Sequence, residues 1–443
     1  MARAVRTALR TGLLVLSAPL AALLSACGGD AADPDPVAPV ATGPTYHEHI
    51  KPILDARCGS CHQDGELAPF SVARYDDLLP WGGAIRRAVL DRTMPPWLAD
   101  GDCNQYLGDR SLSDAQIQAI SAWVDAGMPA GDPARQGAPI DIGPQPSLSR
   151  TDLTLPLPVE YTPQVGPDEY RCFPIPWPAD EVTYVTGLSA RPGEPRVVHH
   201  VIAYVADPAQ VAQVDALDAA DPGPGYPCYG GPSFDSPRWL GAWVPGSLGA
   251  DSPPGTGLRV EPGSRVVVQM HYNLLAAGPL PDRTELDIKL DPAVERDARV
   301  QPFTNPAWVD SDQMMIPAYQ DDVPHEFSAD ISFLAGGAYQ IHDIALHMHA
   351  LGRVAQLSIE RADGTSTCLL DIPRWDFHWQ GSYRLAQPVP VSPGDKLKIA
   401  CRFDNSPENQ PLVDGQQKLP EDVTWGEGTG DEMCLGTVYM NPL

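Results

Sequence analysis

From about residue 153 onward the chain alternates short runs rich in Val, Ile and Tyr with clusters of Pro, Gly, Asn and Asp. Such runs, bounded by turn formers, predict strands of an all-β sandwich rather than helices. Residues 196–204 (RVVHHVIAY) predict one strand, and residues 265–272 (RVVVQMHY) predict another, entered through Pro262-Gly263-Ser264. A later apolar run, Ile344-Ala345-Leu346-His347-Met348-His349-Ala350-Leu351-Gly352-Arg353, predicts a third that carries two histidines. Alternate side chains of a strand share a face, so His347 and His349 are expected to point the same way. Residues 113–124 follow a different period. Ser113 is placed as an N-cap with Gln116 three positions on, and Leu112 is placed to pack on Ile117. Ile117, Ile120 and Val124 then predict one apolar helical face.

The change of period divides the chain. Residues 1–26 predict a secretory signal: Arg3, Arg6 and Arg10 precede an apolar stretch from Leu13 to Leu24, too short and interrupted for a membrane span. It ends in Leu24-Ser25-Ala26-Cys27, similar to a bacterial lipobox, in which the cysteine after the cut carries lipid. The alternative is an ordinary signal with a nearby cysteine. Residues 27–44 predict an Ala/Asp/Pro-rich tether, 45–132 a small helical domain, 133–152 a linker, and 153–292 and 293–443 two β domains. The expected location is outside the cytoplasm, lipid-anchored to a bacterial membrane on its periplasmic or cell-surface side. In that oxidising setting spare cysteines can pair. A formal charge of −27 makes nucleic acid and anionic lipid poor partners.

Three groups of residues carry candidate chemistry. Cys58-Gly59-Ser60-Cys61-His62 is C-x-x-C-H, the attachment pattern of c-type haem: two thiols for the vinyl groups and an imidazole for the iron. A redox dithiol is the competing reading, but the thioredoxin-like strand–helix setting is missing. Met94, in Met94-Pro95-Pro96-Trp97, is the preferred sixth ligand, with Met128 its rival. His47 and His49 read as solvated polar residues. The order of haem motif, Met-Pro loop and terminal helix resembles a small class I cytochrome c, and His/Met ligation suits single-electron transfer. In the first β region, His199 and His200 are adjacent and would face opposite ways on an ideal strand. Both can reach one metal only through local distortion or through different ring nitrogens; otherwise they are two separately satisfied core histidines. His271 is a plausible third ligand, and three histidines suit copper or zinc equally. In the second β region, Met433, preferred to Met440, would complete His347 and His349. A thioether beside two imidazoles favours soft Cu(I) over zinc.

Taken together, Val198-His199-His200, Gln269-x-His271-Tyr272, His347-x-His349-x-Leu351-Gly352 and Asp431-Glu432-Met433-Cys434 resemble, in order, the copper type II ascorbate-dependent monooxygenases. These include the peptidylglycine alpha-hydroxylating and dopamine beta-monooxygenases, and the likeness runs through about residues 162–443. The resemblance implies two all-β jelly-roll-like sandwich domains with one copper in each; with the cytochrome c-like reading of residues 45–132, the expectation is a multidomain protein, a small all-α cytochrome c-like domain followed by those two sandwiches. The resemblance implies His199, His200 and His271 on one copper, and His347, His349 and Met433 on the other, where oxygen binds. It also implies Cys172–Cys228 and Cys401–Cys434 disulfides, leaving Cys103 and Cys368 either free or bonded across domains. His325, His342 and His378 match no ligand position and are read as structural.

The departures bear on substrate. The peptide-amidating members hold the peptide carboxylate with an arginine two before the H-x-H and a tyrosine four after the Met; here those places are Ala345 and Thr437. Peptide amidation is therefore not expected, and a less polar substrate is. The reading that results is a copper-dependent monooxygenase that hydroxylates a substrate C–H bond with O2. Its cofactors would be two copper ions and one covalent haem c through Cys58, Cys61, His62 and Met94. Electrons would come from ascorbate or another redox protein, with the fused haem as a natural entry point. The alternative is a non-catalytic, surface-tethered electron-transfer cytochrome with copper-binding β domains.

Overall fold

The computed structural model describes residues 43–63, 68–244, 247, 249–274, 277–309, 311, 313–331, 337–410, 412–413, 416–426, 428 and 430–443. The expected signal, most of the tether and Cys27 lie outside them. Among the described residues, no helix is long and apolar enough to cross a membrane.

The chain opens with a helical cluster. A π-helical turn, Tyr46–Ile50, runs into Lys51–Arg57; Gly82–Leu90 and Asp114–Asp125 follow. The last helix starts where the sequence predicts. The Ser113 hydroxyl accepts from the Gln116 N–H, and the Gln116 side chain accepts from the Ser113 N–H. Its buried face is Ile117, Ile120 and Trp123, not Val124: Trp123, fully enclosed with Tyr46, Ile50 and Leu54, takes the centre of this small core.

Two sandwiches follow. In the first, a five-stranded sheet has the order Tyr226–Pro227, Asp168–Pro176, Arg265–Asn273, Val198–Ala206, Arg238–Trp243. It packs against a six-stranded sheet whose path runs from Leu153–Pro156 through Glu285–Asp291 and Thr183–Arg191. In the second sandwich, both sheets have four strands. One includes Tyr339–His347 and Leu435–Pro442 side by side; the other is built around Gly352–Glu360 and Lys396–Phe403. The predicted strands begin and end a residue or two from the observed Val198–Ala206 and Arg265–Asn273.

The first sandwich is not purely β. Strand Arg265–Asn273 is buried almost throughout, without the alternation of a half-solvated strand. Val266, Val268, Met270 and Tyr272 enter the sandwich core, while Val267 enters a second core on the outer face with Cys172, Tyr204, Cys228 and Val214. Val214 belongs to a helix, Val211–Ala220, that the sequence reading did not anticipate. A strand covered on both faces becomes a continuous apolar run, which is why residues 265–268 read RVVV.

The helical cluster is fastened to the second sandwich by the segment after Met94. Trp97, Leu98, Ala99 and Tyr106 belong to the core of that sandwich. The Tyr106 hydroxyl donates to the Leu369 carbonyl, and Arg374 donates to the carbonyls of Asp91 and Arg92. A Cys103–Cys368 disulfide closes the junction, resolving the open pairing in favour of a bond across domains. Cys172–Cys228 and Cys401–Cys434 are also bonded, as the resemblance implies.

Candidate metal centres around one cavity

His200 and His271 sit opposite each other on neighbouring strands, on the outer face of the five-stranded sheet. The register slips between Val198 and His200, so His199 is the extra residue of a bulge. That is the distortion adjacent histidines need. One ligand nitrogen from each of His199, His200 and His271 can be chosen so that all three lie within 4.8 Å of one another. Asp168 Oδ1 accepts from His271 Nε2–H at 2.9 Å and from Asn273 Nδ2 at 2.8 Å, and Tyr170 stacks on the His271 ring at 4.1 Å. With Nε2 protonated toward Asp168, Nδ1 of His271 keeps its lone pair and faces Nδ1 of His200 at 3.3 Å. Two nitrogens about 2.0–2.1 Å from one ion at a near-tetrahedral angle lie roughly this far apart. Nδ1 of His199 is buried with no hydrogen-bond partner. An orphaned imidazole nitrogen beside two others fits a metal.

In the second sandwich a slip between Ile341 and Asp343 leaves His342 as the extra residue. Beyond it Ile344, Leu346 and Met348 enter the core. Asp343, Ala345 and His347 take the opposite face. The strand ends at His347, so the H-x-H is only half on it, and His349 stands in the following loop. The two rings nonetheless lie 5.0 Å apart. His347 Nδ1–H donates to Gln380 Oε1 at 2.5 Å and His349 Nδ1–H to the Asp431 carbonyl at 3.0 Å, which leaves both Nε2 atoms free. Met433 lies in the loop two residues before Leu435, the residue paired with His347. Between them Glu432, fully buried, ties the loops together: Oε2 accepts from the N–H groups of His349 and Met433, and Oε1 from that of Leu351. Burial pushes its carboxyl up to about 8, against the backbone donors, which pull it down.

Both sets open on a single cavity of about 270 Å³, lined by all six residues. One ring, Phe377, packs against a histidine of each set, with its centroid 5.5 Å from His199 and 6.0 Å from His349. Phe377, Gln380, Asp168 and Glu432 escaped the sequence reading; the aromatic spacing of Trp375, Phe377 and Trp379 beside Gln380 was the only signal for the first two. His325 donates to the Met315 carbonyl, His342 to Asn441 Oδ1, and His378 is exposed; none lies in the metal-ligating group.

Desolvation holds these imidazoles neutral. The cavity walls keep them from bulk water, and His199 and His349 are lowered to about 4 and His347 to about 3; His200 is lowered as well. Neutral nitrogen is the metal-binding form. In the metal-free protein the unfolded chain takes up the protons of His199, His347 and His349 near pH 6.5 and the folded chain only near 3 to 4. Stability present above pH 6.5 is therefore lost as pH falls toward 4, by up to about 1.4 kcal/mol per pH unit for each histidine. Thermal melts of the apoprotein from pH 7.5 to 4.5 are expected to show that slope, and to show it reduced in the alanine variant of His347.

On the helical cluster, Cys58 and Cys61 are unpaired thiols, half-buried. His62 Nδ1–H donates to the Phe70 carbonyl at 3.1 Å, which leaves Nε2 for a metal. These residues fit thioether links and an axial imidazole. Met94 is half-buried at the head of the segment that docks on the second sandwich, whereas Met128 is packed into the helical core against Gly82.

Residues 307–441 match the family model of the C-terminal domain of the copper type II ascorbate-dependent monooxygenases. Among solved structures the chain is similar to Broad Bean Stain Virus, with 9% identity over 62% of this chain and 76% of that one and a TM-score of 0.24. It is also similar to the infectious bursal disease virus VP2 subviral particle, with 11% identity over 67% and 75% and a TM-score of 0.17. Likenesses at those scores carry no argument about this chain.

Proposed function

We propose that this protein is a copper-dependent monooxygenase that hydroxylates a substrate C–H bond with O2, taking single electrons through a haem c on its helical cluster. The observation that carries the reading is the shared cavity: a three-histidine set and a His/His/Met set face the same space. Copper held by His199, His200 and His271, and by His347, His349 and Met433, would supply one-electron redox chemistry and oxygen activation. The chain's own contribution is orientation. Asp168 fixes the tautomer of His271, Gln380 that of His347, and the Asp431 carbonyl that of His349. The aromatic walls exclude water from the space where a C–H bond would be presented.

A haem held by Cys58, Cys61, His62 and Met94 would supply electrons one at a time. Three residues after Met94, the Trp97 ring lies 5.0 Å from that of Tyr383, and the Tyr383 hydroxyl accepts from the Leu98 N–H. Tyr383 continues through Ser382 and Gly381 to Gln380, which holds His347. This is a short, rigid connection from the haem-bearing cluster to the His/His/Met set.

The test begins with haem and metal analysis of the purified protein, which should give one haem and two coppers. Under anaerobic conditions, haem reduced beforehand is expected to reoxidise on addition of Cu(II), and Trp97→Ala to slow that phase with haem and copper contents unchanged. Absence of electron flow between haem and copper would remove the relay; absence of a hydroxylated product coupled to oxygen uptake would remove the monooxygenase.

A further inference from the structure

The cavity is more selective than the ligand sets alone require. Its walls come from both sandwiches: Ile202, Trp239 and Trp243 from the first, and Phe377, Trp425 and Leu435 from the second. Among the described residues that line it there is no Asp, Glu, Lys or Arg. In a chain with 57 acidic and 30 basic residues, an uncharged lining of this size is a marked local exception. Apart from the histidines, the polar side chains of the lining are neutral: Ser247, Ser382, Thr437, Gln269, Gln380 and the hydroxyls of Tyr170 and Tyr204. Gln380 and Gln269 are already engaged, with His347 and with the Cys228 carbonyl. Ala345 and Thr437 are directly opposite each other on adjacent strands, so the floor beside His347 is a methyl group and one hydroxyl.

We infer that this cavity takes an uncharged, largely apolar substrate about the size of a substituted benzene ring, with at most one or two hydroxyl or carbonyl groups. The inference rests on the monooxygenase reading for the word substrate, but its selectivity rests on the walls alone. A charged group entering would leave water with no protein counter-ion to meet it, a transfer that is strongly unfavourable unless compensated. An ammonium ion would gain about 0.5–2 kcal/mol from the aromatic faces, while facing repulsion from any metal ions bound beside it. A carboxylate would find only those ions as partners, and Cu(I) is a soft centre that takes carboxylate oxygen poorly. Neither ion is favoured over a neutral molecule of the same shape, which loses little on leaving water and gains the contact with the indole and phenyl walls.

The experiment compares three probes of matched shape, 4-methylanisole, 4-methylbenzoate and 4-methylbenzylammonium, titrated calorimetrically into the full-length, Cu(I)-loaded protein without oxygen. The expected result is binding of the neutral probe at least about tenfold tighter than either ion. Ala345→Arg, which sets a guanidinium on the cavity face two residues before His347, should move the preference to 4-methylbenzoate. Equal or tighter binding of either ion by the unaltered protein, or no binding of any probe, overturns the inference, and that comparison decides even if the arginine variant does not fold. Because no turnover is involved, the two readings fail separately. Selective neutral binding with no oxygen-coupled product would leave the cavity's preference standing and remove the reaction.

Discussion

Met433→Ala is expected to bring oxygen-coupled hydroxylation to background while the three-histidine set keeps its copper and the haem spectrum is unchanged. The reason is the geometry of support around that residue. The Met433 backbone is fixed by Glu432 and by the neighbouring Cys434–Cys401 disulfide. Removing the thioether therefore deletes a ligand without releasing the loop. The side chain is 5% exposed and lines the shared cavity, so alanine opens room for water at one position only. His199, His200 and His271 belong to strands of the other sandwich, and among the described residues no hydrogen bond joins them to the Met433 loop. Loss of a direct ligand should exceed the roughly 10–100-fold that removing an outer hydrogen-bond partner typically does to metal affinity or activity. Copper stoichiometry, electron paramagnetic resonance of the remaining Cu(II), and product formation measured on one sample would check it. Full turnover in the variant would mean that Met433 serves packing rather than chemistry.

Much of this site was legible because its residues carry their own chemistry in short, ordered motifs. His199-His200, His271, His347-x-His349 and Met433 are each a few letters long, although alternation alone delivers only His200, His271 and His347; His199 comes by a bulge, and His349 and Met433 by loops. The bulge at His199 was legible only as one of two ways for adjacent histidines to reach one metal, the other being different ring nitrogens; the register slip between Val198 and His200 shows that the strand takes the first. What the letters did not carry was everything that depends on contact between distant segments. The helix Val211–Ala220 was invisible in a pattern read as continuous β, although the unbroken valines of residues 266–268 were its imprint from the other side of the sheet. Cys103 and Cys368, 265 residues apart, could be paired only once the segment after Met94 was seen lying on the second sandwich. Phe377 and Gln380 sit in a loop whose one signal is the alternate aromatics Trp375, Phe377 and Trp379, and that spacing does not say that one residue would pack against a histidine of each set and the other would hold His347. Alternation predicts faces; only the folded chain says which faces meet.

Glu432→Ala is expected to produce the largest loss of stability of any single change near the site. Its carboxyl group is fully enclosed and accepts three main-chain hydrogen bonds, from His349 at 2.9 Å, Leu351 at 2.6 Å and Met433 at 3.2 Å. Those three N–H groups belong to two loops outside the strand ladder, since the strand ends at His347 and the next begins at Gly352; the His349 Nδ1–H to Asp431 carbonyl hydrogen bond is a further tie between them, but it meets none of those N–H groups. Alanine leaves all three donors without an acceptor, at about 1–3 kcal/mol for each buried donor unmet, and adds a cavity. Water admitted to that cavity would recover part of the loss, so the net effect is several kcal/mol rather than the full sum. Glu432→Gln keeps the shape and one carbonyl acceptor but turns an NH2 toward an N–H, so it should fall between the two. The loss should be visible as a lowered melting temperature, with copper leaving the His347, His349 and Met433 set before the three-histidine set. A melting temperature unchanged by the alanine substitution would show that the two loops are held by the sandwich core and the Cys401–Cys434 bond alone.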